Sequence, residues 1–181
     1  MFFVSDILEK APDSYKSPLQ EKVYKTLENL QISFERVLTD EAISMDDCIE
    51  INKKLDMKMV KTLFLCNNNK TEFYLFITTA DKPFKSKNFS NALGISRVSF
   101  APVELMEHIL GVKVGAATVF SVLMDQENLV KVAIDNDVLL DEWYGCSDGT
   151  TTGYLKVKTN LIVNNFLTYA NHIPTIIEMS Y

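Results

Sequence analysis

Residues 60–79 read VKTLFLCNNNKTEFYLFITT. Two runs rich in β-branched and aromatic residues flank Asn67, Asn68, Asn69 and Lys70, which is turn chemistry. The pattern predicts two paired strands. Lys61 stands at the head of the first, between Val60 and an apolar run. A lysine there is either an edge residue snorkelling to solvent or an ammonium placed for chemistry.

Working outward, residues 17–31 (SPLQEKVYKTLENLQ) open with Ser17 as N-cap and Pro18 at the first helical position. Leu19, Val23, Leu27 and Leu30 follow at helical spacing. Residues 32–38 predict a strand. Residues 44–56 predict a helix beginning at Ser44, with acids in its first turn. After residue 79 come a helix closed by Gly94, a short strand at 97–101, and a helix from Pro102 to Gly111. A small-residue loop then runs into a predicted strand at 118–124. Residues 129–135 predict a strand and 136–143 a short helix. A Gly/Thr-rich turn between strands follows at 144–159. The last helix falls at 159–172 and the last strand at 174–179.

About seven strands mixed with five or six helices do not alternate strictly. The class expected is α+β, a mixed, mostly antiparallel sheet flanked by helices. The 181-residue length predicts one domain over 1–181, with the N-terminal helix at about 17–31 included.

Composition narrows the function. Hydrophobic residues make up 47% and charged residues 23%, ordinary for a globular protein. No apolar run approaches the roughly 20 residues of a membrane helix, so no membrane partner is expected. MFFVSDILEK at the start lacks a basic region and a long apolar core. Cys48, Cys66 and Cys146 have no CxxC spacing and read as reduced thiols of a cytoplasmic protein. The net charge is −6, yet residues 53–87 hold eight lysines and three acids. That stretch could steer a polyanion to one face, or be scattered surface charge.

The common catalytic motifs are missing: no GxSxG, HExxH, P-loop or GxGxxG occurs. His108 and His172, the two histidines, read as packing or capping residues. No cluster with metal-ligand spacing is present, and no cofactor or metal is expected. Cys146 sits in a turn without a partner to activate it. Gly115, Ala116, Ala117 and Thr118 form a loop whose backbone a ligand could approach closely, or a plain turn. Ser147 and Asp148 lie in a second Gly/Thr-rich turn. If the Gly/Ala loop closes over the head of Lys61's strand, a cation and backbone groups meet, the parts that hold a phosphate or stabilise an oxyanion.

The order and spacing of EKVYKTLENLQISFERV, VKTLFLCNNNKTEFYLFI, LGISRVSFAPVELMEHILGVKVGAATVF, VKVAIDNDVLL and TNLIVNNFLTYANHIPTIIEM resemble the prolyl-tRNA editing family, the YbaK/prolyl-tRNA-synthetase-associated domain. Within it the chain looks most like the free-standing ProX-type deacylases, over about residues 18–179. The resemblance implies a mixed sheet with flanking helices. It also implies hydrolysis of a wrongly charged aminoacyl-tRNA ester, classically alanine on the proline tRNA. The tRNA acceptor end is then the partner, with prolyl-tRNA synthetase a candidate partner. Lys61 falls on the family's essential lysine. Gly115 to Val119 falls on its GxxxP loop, which holds the aminoacyl group. Three departures bear on specificity. Val119 replaces the loop proline. A His-Pro step in another loop corresponds to GCSDG, where the nearest alignment places Ser147 and Asp148 in the pocket. A histidine pair near Leu38–Asp40 is absent. Two rivals stand beside the deacylase: a tRNA- or nucleotide-binding module without turnover, and a hydrolase of another small ester using Cys146.

Overall fold

The computed structural model describes residues 1–42 and 44–179; Ile43 and the last two positions of the 1–181 span lie outside it. Helix α1 (Pro18–Asn29) starts where Ser17 Oγ accepts the Gln20 N–H at 3.1 Å. Its buried stripe is Leu19, Val23, Tyr24 and Leu27. Strand β1 (Glu35–Leu38) follows, then α2 (Cys48–Leu55), β2 (Val60–Asn67), β3 (Phe73–Thr79), α3 (Ser86–Leu93) and β4 (Val98–Phe100). The remaining strands are β5 (Val130–Asp135), β6 (Trp143–Ser147), β7 (Gly153–Lys158) and β8 (Thr175–Ile177).

Among the described residues these strands divide between two sheets, ordered β1-β7-β6 and β4-β2-β3-β5-β8. Four of the six pairings are antiparallel; β3–β5 and β5–β8 are parallel. The α+β class and the mostly antiparallel pairing expected from the sequence are present. The β2–β3 hairpin forms as its composition predicts, with Lys61 opposite Thr78. Its turn is held by Asn67, whose side-chain oxygen accepts the Thr71 and Glu72 N–H groups at 2.8 and 3.1 Å.

The largest apolar cluster lies between the sheets. It joins Phe64, Cys66, Leu75, Ile77, Val132 and Ile134 of one sheet to Tyr144, Cys146, Leu155 and Val157 of the other, with α1 against both. Strand alternation turns Leu65, Tyr74 and Phe76 to the opposite face, under Phe89 of α3. Tyr154 points outward from β7 into a smaller cluster beneath Ile51 and Leu55 of α2.

Two expectations are corrected. Residues 118–124 form no strand; Val119–Met124 is a 3-10 helix, begun by the Thr118 N–H donating to Ser121 Oγ at 3.2 Å. A short apolar run does not distinguish strand from buried helix, and this local bond decides it. Helix α2 begins at Cys48 rather than Ser44. The Ser44 N–H and hydroxyl both donate to the Asp47 carboxylate at 3.0 Å, which closes a turn ahead of the helix. The helical stretches after Pro102 and Asn160 are largely π-helical, at Met106–Leu110 and Leu161–Phe166.

Candidate active site

Where the two sheets meet, the segment leading into β2 lies against the middle of β6. Gly145 permits this. A Cβ there would stand 2.8 Å from the Lys58 carbonyl oxygen and 2.8 Å from Met57 Sδ, so only a hydrogen leaves room for the chain. Met59 bridges Gly145 in parallel sense at this seam.

A cleft of about 190 Å³ opens at the seam. Its wall takes Val60, Lys61 and Thr62 from β2, Cys146 and Ser147 from β6, and Gly115 and Ala117 from the small-residue loop. The sequence-predicted pieces are therefore brought together in part. Lys61, Gly115, Ala117 and Ser147 line one cleft. Ala116, Thr118 and Val119 are buried behind it. Gly115 adopts φ +88°, a conformation glycine takes without strain. The Ser147 hydroxyl donates to the Ala116 carbonyl at 3.2 Å and accepts the Gly149 N–H at 3.3 Å, tying the loop to β6.

Asp148, expected on the pocket wall with Ser147, is turned away toward α1. Its fully buried carboxylate accepts from the Tyr24 hydroxyl at 2.7 Å, Gln20 Nε2 at 2.9 Å and the Thr150 hydroxyl at 2.7 Å. The reason is steric as well as polar. Gly153 packs so tightly on this carboxylate that a Cβ would meet it at 2.2 Å.

Lys61 is half-buried, and its ammonium donates to the Lys82 main-chain carbonyl. Among the described residues no carboxylate pairs with it. Burial lowers its pKa from the ordinary 10.5, with Asp81 opposing the shift. The group is a lysine held in a partly dry place rather than a solvated edge residue. Cys146 lines the same cleft, but burial pushes its thiol up to about 12, so the nucleophilic thiolate is scarce at neutral pH.

Among the described residues, four of the eight lysines at 53–87 are ion-paired. Lys53 pairs with Glu50 at 3.0 Å, Lys54 with Asp6 at 3.3 Å, and Lys58 with Asp141 at 3.6 Å. Lys82 lies between Asp135 at 2.7 Å and Asp137 at 2.6 Å. Three of these four lysines pair with acids far away in sequence. The histidines stand outside the cleft. His172 is buried, with Nε2 2.9 Å from the Asp125 carboxylate, and His108 is exposed on the π-helical stretch.

Sequence reasoning missed Ala42, Ser44, Met45, Cys48, Met59, Thr62, Met106 and Tyr154, which complete the wall. For Thr62 a signal existed, since strand alternation puts it on the face of Val60 and Phe64. The others come from separate segments whose convergence no spacing records.

An α+β fold with a lysine and a small-residue loop at a sheet seam offers a cleft for a small ligand, and the fold does not by itself name an activity or a substrate. A model of the aminoacyl-tRNA editing domain matches residues 39–164, and the chain belongs to that family. It is similar to the prolyl-tRNA editing protein ProX of Acetoanaerobium sticklandii, 24% identical over 120 residues, which covers 66% of this chain and 73% of that protein. A solved structure described as a proposed trans-editing enzyme for prolyl tRNA synthetase superposes with TM-score 0.67 at 14% identity, over 92% of this chain and 100% of that one. Hypothetical protein APE2540 superposes with TM-score 0.67 at 13% identity, over 86% and 98%. These superpositions establish the fold.

Proposed function

We propose that the protein is a trans-acting aminoacyl-tRNA deacylase that removes a small amino acid from a mischarged tRNA, with alanine on the proline tRNA the leading substrate. One observation carries the reading. In a chain of the aminoacyl-tRNA editing family, Lys61, the Gly115 loop and Ser147 line the same cleft. The relative named for prolyl-tRNA editing supports the choice of tRNA. The reaction then takes place in the cytoplasm, on the charged tRNA pool, with prolyl-tRNA synthetase as the enzyme whose errors are corrected.

In the proposed reaction water adds to the ester carbonyl carbon. The bond to the ribose oxygen breaks, that oxygen takes up the proton, and free amino acid and tRNA leave. Lys61 supplies positive charge to the developing oxyanion or to the terminal phosphate. Main-chain groups of Gly115 to Thr118 hold the aminoacyl moiety, with Val119 behind them fixing the loop in the core. Ser147 acts by clasping that loop. Among the described residues no side chain in the cleft is an evident general base, so positioning and electrostatics carry the rate, with the substrate's own ribose hydroxyl as an aid. A pocket of this kind separates amino acids by only about 1–3 kcal/mol per methylene, which is why editing sites are needed beside synthetic ones.

The test is release of amino acid from tRNAs charged with alanine, serine, cysteine or proline. Turnover of one small amino acid with proline spared is expected. No turnover of any of them, with tRNA still bound, would instead establish the second reading, a binding module. That reading is favoured by Val119 standing where the family's loop has proline.

A further inference from the structure

A second cavity of about 470 Å³ adjoins the cleft, and Met59 and Val60 belong to the walls of both. Lys61 marks the boundary. It lines the cleft, while its ammonium rests on the carbonyl of Lys82, a residue of the second wall. The chemistry of this wall differs from that of the cleft. It holds the half-buried indole of Trp143, the exposed Leu140, and the carboxylates of Asp81, Asp137 and Asp141. The two lysines that reach it are engaged, Lys58 with Asp141 and Lys82 with Asp135 and Asp137. The indole is braced by the ammonium groups of Lys156 and Lys158, 4.6 and 5.5 Å from its centroid.

An aromatic plane beside several carboxylates suits an uncharged ring system bearing hydroxyl and amino donors. It does not suit a free phosphate, because the two lysines of this wall are already paired with carboxylates. We infer that the Trp143 cavity is the subsite for the terminal nucleoside of the substrate, its base against the indole and its ribose hydroxyls toward the carboxylates. The ester then crosses the Met59–Val60 ridge beside Lys61, with the amino acid in the smaller cleft. This rests on the deacylase reading and adds a binding subsite and Trp143 as its positioning residue.

Trp143 is the chain's one tryptophan, so all tryptophan emission comes from the wall of this cavity. The full-length protein is titrated with adenosine, with cytidine and with inorganic phosphate while tryptophan fluorescence is followed. Saturable quenching by adenosine, weaker quenching by cytidine and none by phosphate are expected. In deacylation, Trp143→Ala raises KM about tenfold or more and leaves kcat within about twofold, the size expected for loss of one stacked base. Trp143→Phe keeps a smaller aromatic plane and raises KM less, which separates stacking from a folding defect. Adenosine that neither quenches nor competes, with KM unchanged in Trp143→Ala while the wild type turns over, overturns the subsite and leaves the deacylase standing. Quenching by adenosine without turnover of any charged tRNA supports the nucleoside site and overturns the deacylase.

Discussion

The ammonium of Lys61 donates to the main-chain carbonyl of Lys82, so two lysines share one corner of the molecule under opposite influences. Burial lowers the pKa of Lys61. At Lys82 burial also pulls downward, but hydrogen bonds to Asp135 and Asp137 outweigh it and the pKa rises. Carbon-13 NMR of the lysine side chains should show Lys61 losing its proton below 10.5 and Lys82 above it. The sign has a consequence for activity. If the charged form of Lys61 is required, enzymatic deacylation falls on the alkaline side at a lower pH than an ordinary lysine would dictate, after subtraction of spontaneous ester hydrolysis. Coincident titration of the two lysines would contradict this account of the corner.

Gly145→Ala tests the seam that forms the cleft. The added methyl meets main chain at Lys58, which cannot yield as a flexible side-chain tip would. The variant should lose about 1–3 kcal/mol of stability, read from denaturant melts, as overpacked sites do. It should also lose activity beyond what instability explains, because the displaced segment leads straight into Lys61. A variant with wild-type stability and activity would show that the close approach is dispensable.

Tyr24→Phe tests whether Asp148 is structural. The substitution removes one hydrogen bond to a buried carboxylate and should cost about 1.5–3 kcal/mol. Thermal melting should drop by several degrees for a chain of this length. KM and kcat at a temperature where the variant is folded should stay near wild type. A specific change in KM at full folding would return Asp148 to the pocket.

Alkylation addresses the thiol rival. Cys146 is buried and its pKa is about 12, so iodoacetamide at neutral pH should leave both the thiol and the activity intact in the native protein. Rapid inactivation that tracks labelling of Cys146 would favour a thiol mechanism.

These contrasts follow from what the chain displays locally and what it hides. The β2–β3 hairpin was legible because β-branched runs flank an asparagine turn, and α1 because Ser17 and Pro18 announce its start. Lys61 and the Gly115 loop were legible as candidates because a lysine among apolar residues and a row of small residues are both locally unusual. The 118–124 stretch was not legible, since a six-residue apolar run fits a strand as well as a 3-10 helix until the Thr118–Ser121 bond is known. Nor was the fate of Asp148. Its partners Gln20 and Tyr24 lie more than 120 residues away, and a polar turn residue looks the same whether it meets a ligand or a tyrosine. Nor was the pairing of Lys58 and Lys82 within the basic stretch, because Asp135, Asp137 and Asp141 reach them from another part of the chain.

The most direct measurement is single-turnover hydrolysis of alanyl-tRNA(Pro) by the wild type, Lys61→Ala and Lys61→Arg, each shown folded by circular dichroism. The wild type should release alanine. Lys61→Ala should fall by about 10²–10³-fold, the scale of losing one electrostatic stabiliser of the transition state, and Lys61→Arg should recover part of the rate. A folded Lys61→Ala that hydrolyses the ester at the wild-type rate would contradict the placement of Lys61 at the centre of the reaction.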